Sequence, residues 1–281
     1  MRLHELRAFS LEAECQLHAA STQVISSRTW TQVGEINKDG GAKLVCSGNH
    51  YGYFKPYDQL SDQDVGAYAY SEKFGSDLGH YLHIPIATGC FATIEDEFGY
   101  ISMRPHPKAV TLHTAARLHE LGDVPSDEYS TAFIHRLKTF FAARPQAAQA
   151  YAAICVFDNW VNEDDRHSGN IVIYPGSSSD GLYGIDIESM SPANRYHVPY
   201  HADVLRELDS AVVRPACLDV LAAIENCQPQ KIIALQNRTL AALPGINRSA
   251  VNDKILKGTE QLIAKRNSLH KHLHSSLAMH L

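Results

Sequence analysis

Asp165-Arg-His-Ser-Gly-Asn170, followed sixteen residues after Asn170 by Asp186 in Gly184-Ile-Asp-Ile-Glu188, decides how this chain is read. Between them lie two apolar runs of strand composition, Ile171-Val-Ile-Tyr174 and Leu182-Tyr-Gly-Ile185. These flank Pro175-Gly-Ser-Ser-Ser-Asp-Gly181, which has the composition of a flexible hairpin loop. One strand leads away from Asn170 and the return strand brings Asp186 back beside it, so two oxygen donors far apart in sequence meet at one point. Upstream, a helix from about Gln146 carries Ala147, Ala150, Tyr151, Ile154 and Val161, and runs into the polar cluster Asn162-Glu-Asp-Asp-Arg-His167.

Outward from this stretch the chain changes texture. Residues 1 to about 30 read only as a lead-in segment. Thr31–Ile36, Lys43–Cys46 and Tyr51–Lys55 are short strand-like runs separated by Lys38-Asp-Gly-Gly-Ala42 and Ser47-Gly-Asn49, and they predict successive antiparallel strands. From the N-cap candidate Ser61-Asp62, the residues Val65, Ala69, Leu78 and Leu82 recur near helical spacing until Pro85. Thr88–Ile94 and Tyr100–Met103 predict a hairpin with Glu95–Gly99 as its turn. Beyond Arg104-Pro-His-Pro107 the pattern is helical: Ser126 opens a helix bearing Phe133, Leu137, Phe140 and Phe141, which Pro145 ends, and the chain is mostly helical from about 200. The fold class this order predicts is α+β and two-lobed. Residues 1–103 form a β-rich N-terminal lobe with one helix, and residues 104–281 a mostly helical C-terminal lobe with the loop and hairpin.

Phosphoryl transfer from ATP needs a carboxylate to orient the attacking hydroxyl and accept its proton, and oxygen ligands that hold Mg²⁺ against the phosphates. A D-x-x-x-x-N loop followed by a returning Asp supplies both. Asp165 then faces the acceptor, and Asn170 and Asp186 face the metal. Such a site also needs a cation on the phosphates, held by an acid. Lys55 ends the strand Tyr51-Gly-Tyr-Phe-Lys55, and Glu72 lies on the packed stripe of the next helix, where a carboxylate is costly unless paired. A Lys55–Glu72 pair resolves both; the alternative leaves Glu72 wet at the edge of its stripe. Gly40, Gly41 and Lys43 stand where a phosphate-covering hairpin loop belongs, and an ordinary turn explains Asp-Gly-Gly equally well. His167 either stabilises the loop or reaches a phosphate or the catalytic carboxylate. The spaced histidines of His270-Lys-His-Leu-His274 share no helix face and read as an exposed helix end.

Composition narrows the function classes. The chain has 281 residues, 44% hydrophobic and 20% charged, and 25 Lys+Arg against 31 Asp+Glu give a formal charge of -6. That balance argues against general nucleic-acid binding, which needs clustered cations. The six cysteines, at 15, 46, 90, 155, 217 and 227, show no zinc spacing and fit a reducing cytoplasm. No signal peptide and no apolar run of about 20 residues is found, which predicts a protein that does not span a membrane.

Phe157-Asp-Asn-Trp-Val-Asn-Glu-Asp-Asp-Arg-His-Ser-Gly-Asn170 resembles the F-D-x-x-x-x-N-x-D-R-H-x-x-N signature of the HipA-like kinases, bacterial relatives of protein and phosphoinositide kinases. Gly41-Ala-Lys43 is similar to their phosphate-loop segment, Tyr53-Phe-Lys-Pro56 to their nucleotide-lysine strand, and Ser71-Glu72 through Ile84-Pro85 to their following helix. The likeness covers roughly Gly34 to Met190. It implies Asp165 as catalytic base, Asn170 and Asp186 as Mg²⁺ ligands, Lys55 on the ATP phosphates with Glu72 as its partner, and Ser102, Met103 and Arg104 as the hinge beside adenine. The metal motif reads Ile-Asp-Ile-Glu in place of Asp-Phe-Gly, and the chain lacks the separate N-terminal domain of longer members, reading as a stand-alone catalytic core.

The expectation is an ATP- and Mg²⁺-dependent kinase acting on a hydroxyl acceptor, first of all a Ser/Thr protein kinase with a protein substrate. The alternatives are a catalytically silent nucleotide-binding regulatory module, a small-molecule or lipid kinase, and a histidine-based metal hydrolase. A partner protein stays open.

Overall fold

The computed structural model describes residues 25–26, 30–35, 42–47, 50–57, 63–104, 109–121, 130–163, 165–174, 181–187, 201–243, 248–269, 271 and 273. Most of the lead-in segment (1–24 and 27–29), Gly40 and Gly41, the helix cap at Ser61-Asp62, the Pro-rich connector 105–108, the loop 175–180 and His270, His272 and His274 lie outside them.

The strand-like runs form one sheet. Strands β1 (Ile25–Ser26), β2 (Thr31–Glu35), β3 (Lys43–Ser47), β4 (His50–Pro56), β5 (Gly89–Ile94) and β6 (Glu97–Arg104) lie in the order β1-β5-β6-β4-β3-β2. Every neighbouring pair is antiparallel except β1 with β5. The β5–β6 turn is shorter than expected. Only Glu95 and Asp96 form it, at φ 51° and 67°, and two successive positive φ values make the tight turn that matches strand twist. Glu97, Phe98 and Gly99 therefore join β6 rather than the turn.

Register sorts the side chains between the two faces, because directly opposed residues point the same way and neighbours alternate. Lys43 opposes Phe54, Phe54 opposes Ile101 and Ile101 opposes Cys90. Val45, Phe54, Cys90, Ala92, Ile94, Ile101 and Met103 are buried on this face with Trp30. Lys55 opposes Tyr100 and Tyr100 opposes Phe91, on the other face, and the two aromatics belong to the main core.

Helix α1 (Gln63–Tyr81) lies against β5 and β6 on one side and the C-terminal helices on the other. A side chain at Gly75 would stand 2.8 Å from Ile187 Cγ2, so the glycine is what lets α1 approach the segment that carries Asp186.

The other half centres on a helix. A three-stranded sheet joins β7 (Val110–Thr111), β8 (Ile171–Tyr174) and β9 (Gly181–Gly184), as the hairpin spacing required. After the short α2 (Leu112–Ala115), helix α3 (Thr131–Ala142) starts later than Ser126 suggested: Ser130 caps it, its Oγ accepting from Phe133 N at 3.2 Å. Pro145 opens rather than interrupts the next helix, α4 (Pro145–Val161), as its missing N–H permits at a helix start. Buried along nearly its whole surface, α4 is the pillar of this half. Around it stand α5 (His201–Glu207), α6 (Ser210–Asn226), α7 (Pro229–Ala242) and α8 (Arg248–Lys265). Among the described residues no helix is long and apolar enough to cross a membrane.

The two sheets meet through main-chain atoms. Gly184 N donates to Pro85 O at 2.9 Å and Ala87 N to Gly184 O at 2.8 Å, a parallel bridge that seats the end of β9 against the segment joining α1 to β5.

Candidate active site

The loop after α4 is built on hydrogen bonds to its own backbone. Asn162, in the left-handed region at φ 63°, ends α4 and turns the chain inward. Glu163, fully buried, accepts the Asp165 N–H on its Oε1 at 2.9 Å. The Asp165 carbonyl receives His167 N at 2.9 Å and Asn170 Nδ2 at 3.1 Å, while the Asp165 carboxylate faces solvent. His167 caps the single 3₁₀ turn Ser168–Asn170, its Nδ1 accepting from Gly169 N at 3.0 Å, so of its two readings the loop-stabilising one has a contact. A ring nitrogen that accepts is unprotonated.

Arg166 turns the opposite way, into the core. Its Nε and Nη2 donate to the two Asp158 oxygens at 3.0 and 3.2 Å, and neither side chain is exposed. Its Nη1 donates to Asn170 O at 3.2 Å and to Ile185 O. Ile185 N donates in turn to Asn170 O at 3.0 Å. One buried guanidinium thus binds α4, the loop and the end of β9 together, and Asn170 and Asp186 come side by side through it. Asp186 has φ 62°, a conformation that costs a non-glycine residue about 1 kcal/mol or more and turns it out of the line of β9. Its Oδ1 meets Lys55 Nζ at 3.2 Å, with both side chains 30% exposed. Asp165, Asn170, Asp186 and Lys55 are therefore gathered at one end of the hairpin.

Three expected contacts come out differently. Glu72 is buried beside this group, but its Oε2 accepts from the Tyr57 hydroxyl, and no Lys55–Glu72 ion pair forms among the described residues. Burial, and then the nearby Asp186 charge, raise the Glu72 pKa to about 8, partly offset by the Lys55 charge and the Tyr57 hydrogen bond. A neutral phenol meets a buried carboxyl at lower desolvation cost than a bare ion would. Lys43 points to the sheet face away from Lys55 and pairs with Glu97, so register alone keeps it from the other site residues. The hinge triplet is divided by the same alternation: Ser102, opposite Tyr53, shares the Lys55 face, whereas Met103 is packed with Trp30 and Val45, and Arg104 ends β6.

Four contributors had been given no role from the sequence. Asp158 and Arg166 were legible in principle, since an acid inside an almost wholly apolar helix demands a partner. Tyr57, just past Pro56, gave no signal. Nor did His113 of α2, whose Nδ1 lies 3.2 Å from Ser168 Oγ and whose pKa is lowered by partial burial and by His119 and His167. Among the described residues no group of three or more His, Cys, Asp and Glu could hold a metal ion.

No protein-family model matches the chain, and neither does any curated protein. Among solved structures, the proinflammatory kinase CtkA of Helicobacter pylori aligns with a TM-score of 0.56 at 12% identity, over 92% of this chain and 100% of its own. The fold is kinase-like. A HipA chain from the HipA, HipB and operator DNA complex of the Shewanella oneidensis MR-1 toxin–antitoxin system aligns with a TM-score of 0.53 at 12% identity, over 90% of this chain and 66% of its own.

Proposed function

We propose that the chain is an ATP- and Mg²⁺-dependent phosphotransferase acting on a hydroxyl, and specifically a Ser/Thr protein kinase. The observation that carries this is the meeting of Lys55 with Asp186 at 3.2 Å beside Asn170 and the solvent-facing Asp165. Asp165 orients the acceptor hydroxyl and takes its proton; its backbone, fixed by Glu163, Asn170 and His167, leaves the carboxylate free to do so. Lys55 meets the nucleotide phosphates. Two oxygen donors, the Asn170 amide and the Asp186 carboxylate, fit Mg²⁺, which takes few protein ligands beside phosphate and water. Bound there, the ion would neutralise charge building on the transferred group. The exposed Asp165 supports an acceptor as large as a protein.

A silent nucleotide-binding module draws on one observation, the engagement of Glu72 by Tyr57 rather than Lys55. Transfer of labelled γ-phosphate from Mg-ATP, by wild type and D165A, to generic protein acceptors and to a lysate separates the readings. Label on protein with wild type alone supports the kinase. Nucleotide bound with no label moved supports the module or a small-molecule acceptor.

A further inference from the structure

Helix α1 is held at two points on opposite sides. Toward the sheet, Glu72 accepts from Tyr57. Five residues on, about 140° around the helix and about 7.5 Å along it, Asp77 faces the C-terminal helices. Its Oδ1 pairs with Lys73 Nζ at 2.5 Å and its Oδ2 with Arg238 Nη2 of α7 at 3.3 Å. Lys73 is 1% and Asp77 8% exposed, so these two charges have left water, while the Arg238 side chain, 29% exposed, closes the cluster at its rim. Between them Ser76 Oγ donates to Ala87 O at 2.8 Å, beside the bridge to Gly184.

Apolar residues of like volume would fill this space at no loss of stability, because desolvation offsets most of a buried ion pair's attraction. What the pair adds is direction. An apolar contact lets α1 slide or roll on α7, whereas a carboxylate shared between an intrahelical lysine and an arginine of another helix sets one register. We infer that Arg238 is a positioning residue of the nucleotide site: through Asp77 it fixes α1, and so holds Glu72 on Tyr57, beside Lys55 and Asp186. The C-terminal helices then belong to the site's machinery through their hold on α1. The inference rests on the nucleotide reading proposed above and extends it to residues outside the kinase-like motifs.

The test compares wild type with R238M, which keeps an unbranched apolar stem without charge, with D77N, the double variant, and R238K as the conservative rescue. MgADP affinity and amide hydrogen exchange across residues 63–81 are measured on the full chain, with the melting temperature as control. The expected result is a loss of MgADP affinity of about fivefold in R238M and in D77N, within the range for coupling through a packed element. The double variant is no worse than either single one, R238K recovers most of the loss, and exchange rises across α1 while the melting temperature barely moves. MgADP affinity equal in wild type and R238M overturns the inference. If wild type binds no MgADP, the nucleotide reading itself falls; exchange across α1 that is unchanged in R238M then overturns the bracing as well, and raised exchange sustains it.

Discussion

Asp158 and Arg166 form a two-bonded ion pair, at 3.0 and 3.2 Å, with no solvent on either side chain, and the remaining guanidinium nitrogen spans Asn170 and Ile185. The pair is costly to bury and more costly to break. D158A is expected to destabilise the protein by about 3–5 kcal/mol, because it strands a buried charge. Urea denaturation checks this, and a loss below about 1 kcal/mol would mean that Arg166 finds another partner.

Lys55 and Asp186 present the reverse case. Both are 30% exposed, so their attraction is screened and worth about 0–1 kcal/mol to stability. K55M is therefore expected to leave the unfolding free energy nearly unchanged while cutting phosphoryl transfer about 10²–10³-fold, the usual scale for one transition-state contact. A K55M protein that transfers phosphate at the wild-type rate removes Lys55 from the reaction.

Glu72 gives the ligand-free protein a pH dependence. Its pKa is raised to about 8 from an ordinary 4.5, so across that window the folded state holds a proton that the unfolded state has released. Folding stability is then full below about pH 4.5 and falls as pH rises to about 8, at no more than about 1.4 kcal/mol per pH unit. Melting curves from pH 5 to 9 should show the fall in wild type and a flatter line in E72Q. Parallel curves would place the titration elsewhere.

Gly99 lies directly under the lysine strand. A methyl group there would stand 2.2 Å from Lys55 O and 2.6 Å from Phe54 Cε2. G99A is expected to cost about 2 kcal/mol or more and to weaken nucleotide binding along with stability, since backbone must shift to admit it. A stability change under about 0.5 kcal/mol would show that β4 and β6 can part without harm.

What could be read from the residues was set by how local its cause is. The hairpin that returns Asp186 to Asn170 needs only two apolar runs and a loop, and it forms with its return strand one residue earlier than read, at Gly181–Gly184. α4 was legible through its apolar density, and Pro145 was placed correctly as a boundary although it opens one helix as well as closing another. Lys43 misled because most residues of β3 and β4 are half-buried, with only Val45, Gly52 and Phe54 fully covered: without a clear polar side to the alternation, its facing away from Lys55 can be seen only from the register. The Lys55–Glu72 pair misled for a related reason. Spacing brings an acid near a lysine, but which partner each takes depends on Tyr57 and on the backbone of Asp186, neither of which leaves a periodic trace. Asp158 and Arg166 sit eight residues apart across a helix end, beyond the reach of helical spacing rules.

The bridge between Pro85, Ala87 and Gly184 uses amides and carbonyls alone. Every amino acid brings a carbonyl and all but proline bring an amide, so the bonds at Pro85 and Ala87 ask little of those side chains, whereas at Gly184 a methyl group would stand 2.9 Å from Ile86 Cδ1 and 3.3 Å from Arg166 Cζ. The bridge's preservation requires the path of the chain and, at one position, the absence of a side chain. That is one physical route by which a join between two sheets can be carried mostly by main chain, while the few charged side chains gathered around Asp186 stay answerable one by one.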